Sequence, residues 1–209
     1  SMGKIEQLGP HQLEQRPGVF PLGSDTLALG RFATVRKGWR VCDLGTGSGV
    51  LLLLLAAREP QLELFGLDQD PAAAALAQDN LRHNGLEGQI WTGSWSQTPF
   101  PPGSFDLVVS NPPYYVPGSG KDGGPARMER EELGALCRAA ARLLRNGGRF
   151  ALSFPTQRLA DLFETMRRWD LEPKRLKLLS HTPTKPPYAL LAEGVRQGKP
   201  GLQVLPCLE

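Results

Sequence analysis

Short apolar runs alternate with helical patterns along the chain, and the alternation predicts strands joined by helices. The runs 39–44, 62–67, 89–93 and 105–110 are bounded by turn residues or carboxylates, and each reads as a buried strand. Between them, 50–58 is an almost wholly apolar helix. Residues 72–83 form an Ala-rich helix with Leu76 and Leu81, ending near Asn84-Gly85, with Asp70 before Pro71 as its cap. Farther on, 131–144 is amphipathic and closed by Asn146-Gly147-Gly148, and 149–154 is a fifth strand. Residues 155–169 hold another helix, and 176–179 and 188–191 are the last two strands. Residues 4–20 are polar with isolated apolar positions, a lead-in with one strand or hairpin near Val19-Phe20. Ser24 or Asp25 can cap a short helix that has Leu27, Ala28 and Phe32 on its apolar side. The expected class is α/β, with residues 1–209 as one domain and 1–38 as its lead-in.

Composition narrows this little. At 209 residues the chain can bury a full core. The longest apolar block, 50–57, is far too short to span a membrane, and no secretory signal pattern is visible. Three cysteines (Cys42, Cys137 and Cys207) without a CxxC pair or a His cluster argue against a disulfide scaffold or a zinc site. A reducing, cytoplasmic location and no metal are expected. Charge is uneven: 1–141 carries 12 basic and 15 acidic side chains, hence −3, whereas 142–209 carries 12 and 6, hence +6. The basic final third suits an RNA backbone or is a solvated surface.

The first core strand runs into Gly45-Thr46-Gly47-Ser48-Gly49 and then a helix, the arrangement that holds nucleotides. Glycines there let a ligand lie against backbone. The spacing is GxGxG rather than the dinucleotide GxGxxG, and Asp43 precedes the loop. A carboxylate there repels a pyrophosphate but suits an ammonium group or hydroxyls, which points from NAD toward S-adenosylmethionine. Asp68, ending the second strand, can accept from both ribose hydroxyls, or cap the next helix. Ser94 and Trp95 follow the third strand, where an adenine would sit; Trp95 can stack on it or pack at the sheet edge. Asp25 lies beside the cofactor or simply caps its helix.

Asn111-Pro112-Pro113-Tyr114 leaves the fourth strand at its carboxyl end, where open α/β sheets bind ligands. Asn111 offers a carbonyl acceptor, and Pro112, lacking N–H, presents only its carbonyl. Pro113 restricts Pro112 to an extended conformation, and Tyr114 offers a face for stacking. Two acceptors and a platform suit a planar, conjugated NH₂ group. Holding both hydrogens favours the pyramidal nitrogen of the attacking state. The loop from 115 to 125 reads as a lid, and Arg127 and Arg130 can reach phosphate or pair along their helix. His181 reads as a loop residue without a partner.

On these residues the chain resembles the class I S-adenosylmethionine-dependent methyltransferases, and within them the amino-methylating NPPY group. Gly23-Ser24-Asp25, the Tyr114-Tyr115 pair, Gly118-Ser119-Gly120-Lys121, Ala126-Arg127 and Glu193-Gly194 are similar to the bacterial tRNA adenine-N6 methyltransferases named for valine tRNA. The resemblance implies a Rossmann-like, seven-stranded mixed sheet, order 3-2-1-4-5-7-6, flanked by helices. It implies that Gly45 and Gly47 line the methionine part, with Asp25, Asp43 and Thr46 as further candidate cofactor-binding residues. Asp68 binds the ribose, Ser94 stands where relatives contact the adenine, Gln69 and Trp95 are further candidate cofactor-binding residues, and 111–130 is the substrate loop. Asn111 and Pro112 hold the target amine and Tyr114 stacks on the base, with Pro113 completing the catalytic motif. Many relatives have Asp where Ser94 stands, and serine hydrogen-bonds there without a charge.

The leading expectation is N6 methylation of an adenosine in RNA, with tRNA as partner. A protein glutamine amide is also a conjugated NH₂, so a glutamine N5-methyltransferase of the release-factor type is the alternative. Those relatives carry a helical N-terminal domain, and some 38 residues precede the first core strand here. A non-catalytic module binding RNA or S-adenosylmethionine is a third reading.

Overall fold

A computed structural model describes residues 3–17, 23–113 and 124–207, with side chains of the last segment from Arg130 onward. In chain order the elements are β1 (Ile5–Leu8), β2 (His11–Glu14), α1 (Ser24–Phe32), β3 (Arg40–Leu44), α2 (Val50–Arg58), β4 (Glu63–Asp68), α3 (Pro71–His83) and β5 (Gly88–Thr92). There follow β6 (Phe105–Ser110), α4 (Gly124–Leu143), β7 (Leu144–Phe154), α5 (Leu159–Arg168), β8 (Leu171–Leu179), β9 (Ala189–Arg196) and β10 (Gln203–Val204).

The main sheet has the order β10-β8-β9-β7-β6-β3-β4-β5. The seven expected strands stand in the expected order; β9 alone runs against its neighbours, pairing antiparallel with β7 and β8. Among the described residues the sheet has eight strands rather than seven. The tail forms β10, parallel to the edge of β8 through Gln203↔Arg175 and Val204↔Leu176. Two residues are too few to show a strand period, so this pairing leaves no mark in the sequence pattern.

Parallel strands are covered on both faces, and side chains alternate between them. Cys42, Val108, Phe150 and Leu152 face α4 and α5, packing with Leu136, Cys137, Leu162 and Met166. Val41, Leu107, Val109 and Ala151 face the opposite layer of Leu29 from α1, Leu51, Leu52 and Leu55 from α2, and Leu81 from α3. The β5–β6 connection has no helix. Phe100 fills that place, edge-on to Phe65 and Phe105 at 5.7 and 5.1 Å.

Several boundaries differ from expectation. The lead-in hairpin lies at β1–β2, while Val19-Phe20 falls outside the described residues. Asn80 and Asn84 of α3 pin it: Glu14 N–H donates to Asn80 Oδ1 at 2.9 Å, and Gln12 N–H to Asn84 Oδ1 at 2.8 Å. Helix α4 begins at Gly124, because Pro125 is compatible with a first helical turn even without an apolar stripe. Strand β8 begins at Leu171. A register shift between Pro173 and Arg175 lets proline and lysine sit in a strand whose pairing they would otherwise break.

Helix α1 is fastened where it ends. Glu193 of β9 is fully buried and accepts from Thr34 N–H at 2.8 Å, Thr34 Oγ1 at 2.7 Å, Arg149 at 2.9 Å and Arg175 at 3.2 Å. A buried carboxylate is tolerated only when paired and hydrogen-bonded this fully. The network joins the end of α1 to three strands, and so fixes where the start of α1 points.

Candidate active site

The carboxyl ends of β3, β4 and β6 open on one cleft of about 700 Å³, within the usual range of small-molecule sites. Asp25, Asp43, Gly45, Thr46, Gly47, Asp68, Gln69, Ser94 and Trp95 line it, with Asn111, Pro112 and Pro113. Chain segments far apart in sequence therefore meet as expected. Tyr114 and most of the expected lid, 115–123, lie outside the described residues.

Each loop is held by its own chemistry. Gly45 and Gly47 have φ of +81° and +55°, a region in which a side chain would be strained. Gly45 and Thr46 both donate backbone N–H to Leu67 O, at 2.8 and 2.9 Å, which ties the loop to β4. Asp68 clamps it further: Oδ2 accepts from Gly47 N–H at 2.8 Å and Oδ1 from Asp70 N–H at 2.9 Å. Asp68 thus builds the pocket wall. Each of its oxygens retains capacity for another donor. Asp70 caps α3 as expected, accepting from Ala72 N–H at 3.0 Å.

Asp43 is buried and lines the cleft, and among the described residues its Oδ1 has no hydrogen-bond partner; neither has the buried Oγ1 of Thr46. Burial pushes the Asp43 carboxyl from its ordinary range up to about 7. The nearby Thr46 hydroxyl partly offsets the rise without reaching hydrogen-bond geometry, and the Asp68 charge adds to it. Two orphaned polar atoms beside a glycine loop of positive φ fit a polar, cationic ligand. S-adenosylmethionine, which carries an ammonium group and a ribose diol, meets that requirement.

A pH dependence follows from the sign of this shift. A carboxyl raised in the fold stabilises the fold while protonated, and that contribution disappears as pH rises through about 7. A cationic ligand favours the ionised form. Cofactor affinity is therefore expected to rise between about pH 5.5 and 7, before an amino group with a pKa of about 7.7–8.0 loses most of its charge. Calorimetry across that window should show the rise in the native chain and a flat profile in Asp43→Asn. An equal rise in both would remove Asp43 as its source.

Asn111 follows Ser110, whose buried hydroxyl donates to Leu44 O at 2.7 Å and ties β6 to β3 beside the glycine loop. The Asn111 amide donates from Nδ2 to Thr26 Oγ1 at 2.5 Å, and its Oδ1 accepts from Ser153 Oγ. The carboxamide is thus held between α1 and the end of β7, and Oδ1 keeps a second lone pair. Thr26 and Ser153 carry no motif, and their partnership spans 85 and 42 positions, so the sequence offers no signal for them.

Helix α1 corrects one expectation. Its cap is Gly23 with no side-chain bond, so neither Ser24 nor Asp25 caps it. Asp25 lines the cleft instead, and Ser24 Oγ lies 3.1 Å from the Tyr188 hydroxyl. Trp95 lines the cleft and packs, partly buried, against the core layer that holds α4 and α5. Ser94 Oγ lies 3.0 Å from Ser96 Oγ and also accepts from Ser96 N–H. His181 does have a partner: its ring stacks on Tyr188, with centroids 4.2 Å apart.

The family model for the methyltransferase small domain matches residues 12–167. The chain belongs to this family. It is an enzyme, an S-adenosylmethionine-dependent methyltransferase. A tRNA1(Val) (adenine(37)-N6)-methyltransferase of Parabacteroides distasonis is 31% identical over 84% of this chain and 76% of the relative. One of the same name from Porphyromonas gingivalis is 31% identical over 87% of this chain and 76% of the relative. Among solved structures, a methyltransferase from Pyrococcus furiosus aligns over 90% of both chains with a TM-score of 0.70 and 19% identity. At that identity the likeness establishes the methyltransferase fold.

Proposed function

We propose that this methyltransferase transfers a methyl group to the N6 amine of an adenosine in RNA, with tRNA as the substrate class. The observation that carries the reading is the Asn111 carboxamide, held by Thr26 and Ser153 at the cofactor cleft, with Pro112 lining the same cleft. The names of the relatives support the choice of adenine in tRNA. The basic final third of the chain suits an RNA backbone.

Gly45, Thr46 and Gly47 hold the methionine part of S-adenosylmethionine, with Asp25 and Asp43 near its ammonium end. Asp68 and Gln69 meet the ribose, and Ser94 and Trp95 the adenine. When bound, the cofactor supplies an electrophilic sulfonium methyl. Asn111 Oδ1 and the Pro112 carbonyl accept the two hydrogens of the target amine, drawing its lone pair out of conjugation. Pro113 restricts Pro112, and Tyr114 stacks on a base unstacked from its neighbours. Residues 111–130 serve as the substrate loop, and the enzyme works in the reducing cytoplasm with tRNA.

The test is methyl transfer from labelled S-adenosylmethionine into bulk unmodified tRNA, followed by nucleoside analysis. Labelled N6-methyladenosine is expected. Label entering only a protein glutamine would replace the substrate while keeping the amine chemistry.

A further inference from the structure

The β8–β9 loop, residues 180–188, lies at the same end of the sheet as the cleft. Leu179 pairs with Ala189, Phe154 with Leu190, and Ser110 with Leu152, so the loop and Asn111 leave the same end of the sheet with one strand, β7, between them. His181 is exposed and stacks on the half-buried Tyr188 with planes only 8° apart. One face of the imidazole meets the phenol ring, which leaves the other to solvent. Tyr188 is anchored twice: its N–H donates to Leu179 O at 2.9 Å, and its hydroxyl lies 3.1 Å from Ser24 Oγ. Ser24 is flanked by Gly23 and Asp25, both lining the cleft, and Thr26 of the same helical turn holds Asn111.

From these contacts we infer that the His181–Tyr188 pair is a stacking ledge for an unpaired nucleobase of the RNA strand flanking the target adenosine. The inference rests on the RNA reading above and adds a contact outside the cofactor cleft. A ring stack open at one end continues naturally into a base, whose flat face it matches regardless of base identity. Pro183, Pro186 and Pro187 limit the loop's freedom, so little ordering is needed on binding. The surroundings suit a polyanion: residues 173–192 contain no Asp or Glu, and Lys185 is exposed within the loop. The anchor on Ser24 keeps the ledge in register with the turn that positions Asn111.

The test uses the full chain, bulk unmodified tRNA and a single-stranded adenine-containing RNA of about 12 nucleotides, a length typical of such sites. His181→Ala is expected to weaken binding of both RNAs by roughly tenfold and to raise KM for tRNA correspondingly, the scale of one lost base stack. kcat and S-adenosylmethionine affinity should stay near native values. His181→Phe keeps a flat ring and should restore RNA affinity. Native RNA affinity in His181→Ala overturns the ledge; so does a loss matched by equal loss of cofactor binding, which marks a disturbed fold. If the native enzyme methylates a protein glutamine and not RNA, the RNA reading fails and the ledge with it. If it methylates RNA and His181→Ala is unaffected, the ledge alone fails.

Discussion

Asn111→Ala is expected to lower turnover by about two to three orders of magnitude, the usual cost of removing one aimed hydrogen-bonding group from a transition state. S-adenosylmethionine affinity should remain within about twofold, since that scale lies below the effect of one ordinary hydrogen bond. The separation arises because the Asn111 carboxamide is fastened to Thr26 and Ser153, while the glycine loop after Asp43 is held by Leu67 and Asp68. Single-turnover kinetics with saturating cofactor measures the chemical step, and calorimetry measures binding. Retained turnover would sink the assignment of Asn111. Thr26→Val and Ser153→Ala should each reduce kcat more weakly, because the carboxamide remains but is free to rotate.

Asp68→Ala should act on the other half of the site. One carboxylate holds the Gly47 and Asp70 amides together, and charge-assisted bonds of this kind contribute about 1.5–3 kcal/mol each. Losing them frees the glycine loop as well as any ribose contact. Cofactor Kd is therefore expected to rise by about a hundredfold. Asp68→Asn keeps an acceptor for one amide and should fall between the two. Unchanged cofactor binding in Asp68→Ala would show that neither the clamp nor the diol contact matters.

The central strands and their helices were legible because local pattern and final environment agree. The 50–58 helix coincides with α2, and the 105–110 strand with β6, since both are largely buried and read as mainly apolar runs. The glycine loop was legible for a different reason: positive φ restricts residue choice locally. Strands β8 and β9 were read short. Glu172, Pro173, Lys174 and Arg175 break the apolar pattern, and a bulged antiparallel partner compensates only in three dimensions.

The sequence by itself determined the α/β alternation, the strand–glycine–helix unit, and the acceptors Asn111 and Pro112 at a strand end. These depend on residue type within a few positions, so they survive without knowledge of the fold. Only the tertiary structure decided that β10 closes the sheet edge, that Glu193 locks α1 to three strands, and that Thr26 and Ser153 grip Asn111. Each joins residues far apart in the chain by single hydrogen bonds or one short pairing. A serine, threonine or glutamate carries no local mark of its distant partner, and the contact exists only once the sheet order brings their strand ends together.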